Sequence, residues 1–138
     1  MKLGSTLTTV AMIMSATAGH AVDSALVLGK STYNARCAMC HGTSGKGDGE
    51  VAELFKIPPS DLTKLAERAD GEFPYAYVSG VLSEGMQQAG HGEAEMPIWG
   101  DYFVADALED RGIFPEDAEA IAAGRILSLA HYLESIQE

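Results

Sequence analysis

The sequence predicts an all-α domain, and three observations point there. Apolar and small residues recur at helical spacing near both ends of the chain, glycine- and proline-rich stretches separate the periodic segments, and no run alternates as a strand would. The first stripe is Leu26, Gly29, Tyr33, Cys37 and Cys40, spaced 3, 4, 4 and 3 residues apart, with Asp23 or Ser24 expected to cap its helix. The run from Gly42 to Gly49 has four glycines in eight residues and is predicted as a loop. No strand is predicted before it and it lacks P-loop spacing, so it is not read as a phosphate cradle. Val51 to Phe55 predicts one helical turn, Pro58 and Pro59 impose extended backbone, and Ser60 or Asp61 is expected to start a polar helix to about Arg68. Pro74 suits the first turn of a helix to about Leu82, and residues 85–95 read as a polar loop leading to Met96-Pro97-Ile98-Trp99-Gly100, where Trp99 and Gly100 offer a bulky side chain and a turn. After Gly112 a long last helix is predicted: Pro115 fits its first turn, Glu116 and Asp117 its positive end, and Ala122, Ile126, Leu129, Leu133 and Ile136 form its buried stripe.

The amino terminus resembles a secretory signal peptide. Lys2 gives a positive start, Leu7 to Met14 form a moderately apolar run, small residues follow, and no acid appears before Asp23. Cleavage is expected after Ala21, or after Ala18, which makes residues 1–21 a leader and 22–138 one domain of ordinary size. The apolar run falls short of the roughly 18 residues a spanning helix needs, so no stable membrane span is expected after cleavage. The chain has 9 Lys and Arg against 20 Asp and Glu; losing Lys2 leaves 8 against 20, a formal charge of −12. Nucleic acid, which selects a basic surface, is therefore excluded as a partner, and opposite charge would guide encounters toward basic docking surfaces.

Cys37-Ala38-Met39-Cys40-His41 carries the chemistry. Positions i, i+3 and i+4 share a helix face, so two thiols and an imidazole are presented to one object. Cys-x-x-Cys-His is the sequence through which haem is attached covalently, the thiols bonding its vinyl groups and the imidazole ligating iron. A redox dithiol would need a βαβ pattern that the sequence does not show. A zinc site would need further ligands with no third cysteine.

A secreted leader, a helix ending in Cys37-x-x-Cys40-His41, a glycine-rich loop, a distant Met96 and an amphipathic last helix together resemble a small, soluble, monohaem class I cytochrome c. The Met-Pro-x-Trp-Gly form is similar to that of proteobacterial, periplasmic members. The resemblance covers essentially all of 22–138 and implies first and last helices crossing around one covalent haem c, near Gly29, Tyr33, Leu129 and Tyr132. It also implies a methionine on the second axial position. Met96, stiffened by Pro97, is the leading candidate; Met86 and His91 are alternatives, Met39 lies on the same side as His41, and His131 reads as a packed or surface histidine. A carbonyl of Pro58 or Pro59 is the expected partner of the His41 Nδ1 proton. Trp99, Tyr75, Tyr77 and Arg68 are candidate neighbours of the haem propionates.

A closed His/Met iron implies one-electron transfer rather than bond-making, with no catalytic residues. The expected role is a bacterial periplasmic carrier between redox proteins. A cytochrome subunit dedicated to a periplasmic dehydrogenase is the alternative, and a catalytic or gas-binding haem protein is a third reading. Docking is expected through basic or apolar partner surfaces, with Asp106, Glu109, Asp110, Glu116, Asp117 and Glu119 forming an acidic stretch.

Overall fold

A computed structural model describes residues 17–85, 96–110 and 112–138, with side chains from Ser24 onward. Most of the expected leader, Met86 and His91 lie outside the described residues. Among those described every regular element is helical, with no strand.

The first helix, α1 (Thr17–Arg36), starts ahead of the expected cap at Asp23 or Ser24. Ala18, Ala21 and Ala25 are strong helix formers, and a capping residue is a preference that an alanine-rich stretch overrides. The buried Gly29 and Tyr33 of α1 meet the last helix, α5 (Pro115–Ser135), in the largest helix–helix interface of the fold. A Cβ added to Gly29 would stand 2.0 Å from the Ser128 carbonyl oxygen, so the two backbones approach as only glycine permits. Beside this crossing the Tyr33 and Tyr132 rings pack with centroids 5.1 Å apart. Tyr33 is wholly buried, and its hydroxyl donates to the Gly42 carbonyl at 2.7 Å, which ties the crossing to the loop after His41. Burial holds that phenol well above its ordinary range, so it remains a donor.

Helix α5 follows the expected pattern. Pro115 opens it, Glu116 and Asp117 occupy its first turn, and Ala122, Ile126, Leu129 and Leu133 are buried in the common core. Between Arg36 and the Gly42 loop lies the single turn α2 (Ala38–His41), and α3 (Tyr75–Glu84) follows Pro74 with Val78 and Leu82 buried.

Two expectations fail here. Trp99 and Gly100 open a helix, α4 (Trp99–Leu108), where a turn was expected. Trp99, Phe103 and Ala107 recur every fourth residue, and burying Phe103 and Ala107 while Trp99 packs on the core offsets the poor helix propensity of Gly100. The polar helix expected to about Arg68 is instead two 3-10 turns, Leu62–Lys64 and Glu67–Ala69, closed by Asp70 in the left-handed region at φ 57°. The backbone groups that a helix would pair internally are taken by the chain's last residues: Glu138 N–H donates to the Thr63 carbonyl, and the Gln137 side chain bonds Leu62 and Ala66.

Helix α4 also changes the reading of the acidic stretch. Asp106 pairs with Arg36 of α1 at 3.6 Å and with Arg125 of α5, so it ties three helices instead of joining a solvated run. Both pairs are partly exposed, and each contributes at most about 1 kcal/mol. Glu109, Asp110, Glu116, Asp117 and Glu119 are exposed.

Candidate haem-binding site

Helix α1 delivers the Cys-x-x-Cys-His turn into the core. Cys37 N–H still donates to Tyr33 O at 2.8 Å, continuing the α1 ladder, and the Cys37 carbonyl accepts from Cys40 N–H at 3.1 Å and His41 N–H at 2.9 Å. The two thiols and the imidazole therefore belong to one tight turn. Cys37 is buried while Cys40 and His41 are half-buried, and neither cysteine is in a disulfide. Burial, with Cys40 second, pushes the Cys37 thiol up to about 12, so it is neutral at physiological pH. Among the described residues no group of three or more His, Cys, Asp and Glu side chains is placed to hold a metal ion.

His41 Nδ1 lies 3.0 Å from the carbonyl oxygen of Ser60. A carbonyl can only accept, so the contact requires the proton on Nδ1 and leaves the Nε2 lone pair free for a metal. The expected carbonyls were those of Pro58 and Pro59. The structure puts Ser60 there instead, because the loop after His41 folds back onto this segment: Gly47 N–H donates to His41 O at 2.8 Å and Leu62 N–H to Gly45 O at 2.7 Å. Gly47 has φ +79°, and a Cβ there would stand 2.3 Å from the Pro59 carbonyl oxygen, so Pro59 packs under the loop with its carbonyl turned to Gly47. Pro58 is exposed.

Met96 is half-buried and packs against the same core cluster that contains Cys37. Pro97 follows it and α4 begins at Trp99, so its backbone is stiffened on one side. His131 is engaged elsewhere, with Nδ1 3.1 Å from the Tyr75 hydroxyl and 3.9 Å from Glu134. Met39 is exposed.

The candidate propionate neighbours separate. Tyr75 donates its hydroxyl to Glu134 on α5, and burial followed by that hydrogen bond pushes it up to about 12. Its hydroxyl is thus engaged with a carboxylate of the chain itself. Arg68 donates from Nη2 to the Asp61 carbonyl at 2.6 Å, and its remaining N–H groups stay available. Tyr77 is exposed on α3. Trp99 gives the strongest sign of a group yet to be satisfied, since its indole Nε1 is buried with no hydrogen-bond partner among the described residues. A buried donor without an acceptor is costly, and a carboxylate such as a haem propionate would satisfy it. The free thiols, the aligned imidazole and the orphaned indole N–H all fit haem.

A helical domain closed by its two terminal helices around such a turn defines a c-type haem protein. The sequence model described as Cytochrome c matches residues 26–123, well over half of the chain, and the protein belongs to the cytochrome c family. No curated protein and no solved structure matches it. Its fold is the all-α fold of class I cytochromes c, its cofactor is covalently attached haem c, and its activity is haem-based electron transfer with redox partners.

The Ser60 carbonyl, Gln137 and Thr63 were missed from sequence, whereas Asp61, one of the two expected starts of this segment, caps its first 3-10 turn. Asp61-Leu62-Thr63 carried a legible signal, an Asp capping the amide two residues on, at 2.8 Å. A backbone carbonyl such as that of Ser60 has no sequence signature at all.

Proposed function

We propose that the chain is an exported, periplasmic one-electron carrier with a single haem, held by Cys37 and Cys40 and ligated by His41 and Met96. The observation that carries this reading is the His41 ring, whose Nδ1 is held by the Ser60 carbonyl so that only Nε2 can take a metal. Half-burial of Met96 against the cluster that holds Cys37 supports the second ligand. Haem held by these residues would supply an iron able to change by one electron, with His41 and Met96 as its protein ligands. The protein's part is to hold the imidazole tautomer, keep the thioether seated, and supply buried donors such as Trp99 Nε1 to the propionates.

Residues 1–21 are proposed as the leader and 22–138 as the mature monohaem domain, of the type found in proteobacteria. No described helix is long and apolar enough to cross a membrane. The mature charge of −12 favours capture by basic partners. Exposed Leu54, Ile57 and Met39, with Ile98 beside the Met96 strap, supply apolar surface for contact.

The test is to fractionate the native source and measure electron transfer from the purified protein to its partner. The expected product is a periplasmic haem protein starting at Val22 or Gly19. Its transfer rate should fall as salt rises, since the Debye length shrinks from about 30 Å at 0.01 M to about 10 Å at 0.1 M. A haem protein that co-purifies stably with a dehydrogenase, with a salt-independent rate, would overturn the free carrier in favour of the dedicated subunit.

A further inference from the structure

The Ser60 carbonyl that faces His41 Nδ1 lies in a segment without regular structure, and what holds it comes from the far end of the chain. In a continuous helix Ala66 N–H would donate to the Leu62 carbonyl. Here the Gln137 side-chain amide stands between those two groups. Its Oε1 accepts from Ala66 N–H at 2.9 Å, and its Nε2 donates to Leu62 O at 2.9 Å. Nε2 also donates to Leu133 O at 2.6 Å, which anchors the amide to α5. One side chain thus replaces a missing helical hydrogen bond and fastens the turn to the core.

The rest of the turn is tied with equal economy. Asp61 Oδ1 accepts from Thr63 N–H at 2.8 Å and from Thr63 Oγ1 at 2.6 Å, bonds that hold the Asp61 carboxyl below its ordinary range. Thr63 is buried, and its carbonyl takes the Glu138 N–H at 3.0 Å. Leu62 N–H reaches back to Gly45 O in the loop that follows His41. These bonds tie residues 61–66 to α5 and to the loop after His41, and Ser60 directly precedes them in the chain.

We propose that Gln137 is a positioning residue for the axial imidazole: by bridging Leu62 and Ala66 it fixes the Ser60 carbonyl against His41 Nδ1 and so sets the donor strength of the iron ligand. The proposal rests on His41 ligation as proposed above. A hydrogen bond to Nδ1–H makes the imidazole a stronger donor and favours the oxidised iron. Loosening the carbonyl shifts the balance toward the reduced state.

Gln137→Leu removes both the donor and the acceptor at similar size, whereas Gln137→Glu keeps an acceptor for Ala66 N–H and loses the Nε2 donor. Both are made in the haem-loaded protein. The readouts are the reduction potential, the paramagnetically shifted NMR signals of the His41 ring with the exchange rate of its Nδ1 proton, and the sulfur-to-iron absorption band. The expected result is an upward shift in potential and faster Nδ1 proton exchange in Gln137→Leu, a smaller shift in Gln137→Glu, and an unchanged sulfur band in both. Unchanged potential and His41 signals, even with a lower unfolding midpoint, would make Gln137 a mere structural tie and overturn the proposal. If Gln137→Leu fails to accumulate as holoprotein, Gln137→Glu decides by the same criteria. Absence of a shifted His41 ring from the wild-type spectrum is a different result, and it would overturn the ligation itself.

Discussion

Replacing Met96 with alanine in the haem-loaded protein is expected to abolish the weak long-wavelength sulfur-to-iron band of the oxidised state completely. It should also lower the reduction potential and open the iron to added ligands. The expectation follows from two properties of the position. Met96 is half-buried against the core cluster that includes Cys37, and Pro97 restricts its backbone to extended conformations, so the thioether is presented with little freedom to lose. A thioether opposite imidazole raises the potential relative to nitrogen ligands, and its loss reverses that. Absorption, voltammetry and titration with imidazole read the three effects. An unchanged band in Met96→Ala, with loss of the band on replacing Met86, would move the ligand to Met86.

Gly29→Ala is expected to be strongly destabilising. The added Cβ would meet the Ser128 carbonyl oxygen at 2.0 Å, its carbon at 2.7 Å and Tyr132 Cβ at 2.9 Å. Two of these are backbone atoms that no rotamer change can move, so α1 and α5 must separate and loosen the Tyr33–Tyr132 contact. Overpacking typically costs about 1–3 kcal/mol, and a clash with fixed backbone belongs at the upper end of that range. The control lies on α5 itself. Gly124 is exposed with nothing within 4 Å of its added Cβ, so Gly124→Ala should stabilise by about 1 kcal/mol through helix propensity alone. Denaturant unfolding of both holoprotein variants checks this contrast. A Gly29→Ala protein as stable as wild type would show that the two helices do not cross backbone to backbone.

What was legible in the sequence was local. The attachment turn is five consecutive residues whose helical geometry is fixed by spacing, and α5 announces itself through Pro115, two first-turn acids and an unbroken stripe from Ala122 to Leu133. Gly29 was legible through the resemblance to class I cytochromes c, which implies a glycine where the first and last helices cross. What failed was set by distant residues. The stretch 61–69 has the composition of a short polar helix, yet Gln137 and Glu138 claim its hydrogen-bonding groups from about seventy residues away. Helix α4 was hidden by Gly100 and two aspartates, although Trp99, Phe103 and Ala107 kept a four-residue repeat, and only packing on α5 makes that repeat decisive. The Ser60 carbonyl was one residue beyond the expected prolines because the Gly45 and Gly47 contacts set the register between loop and segment.

The central claim is that Cys37 and Cys40 carry the haem while His41 ligates its iron. It is tested most directly by denaturing the holoprotein, extracting it with acid and organic solvent, digesting it, and weighing the peptide that contains residues 37–41. The haem is expected to stay with the protein, and this peptide to carry its mass with both thiols consumed. Haem recovered in the organic phase, with both cysteines free in the peptide, would contradict it.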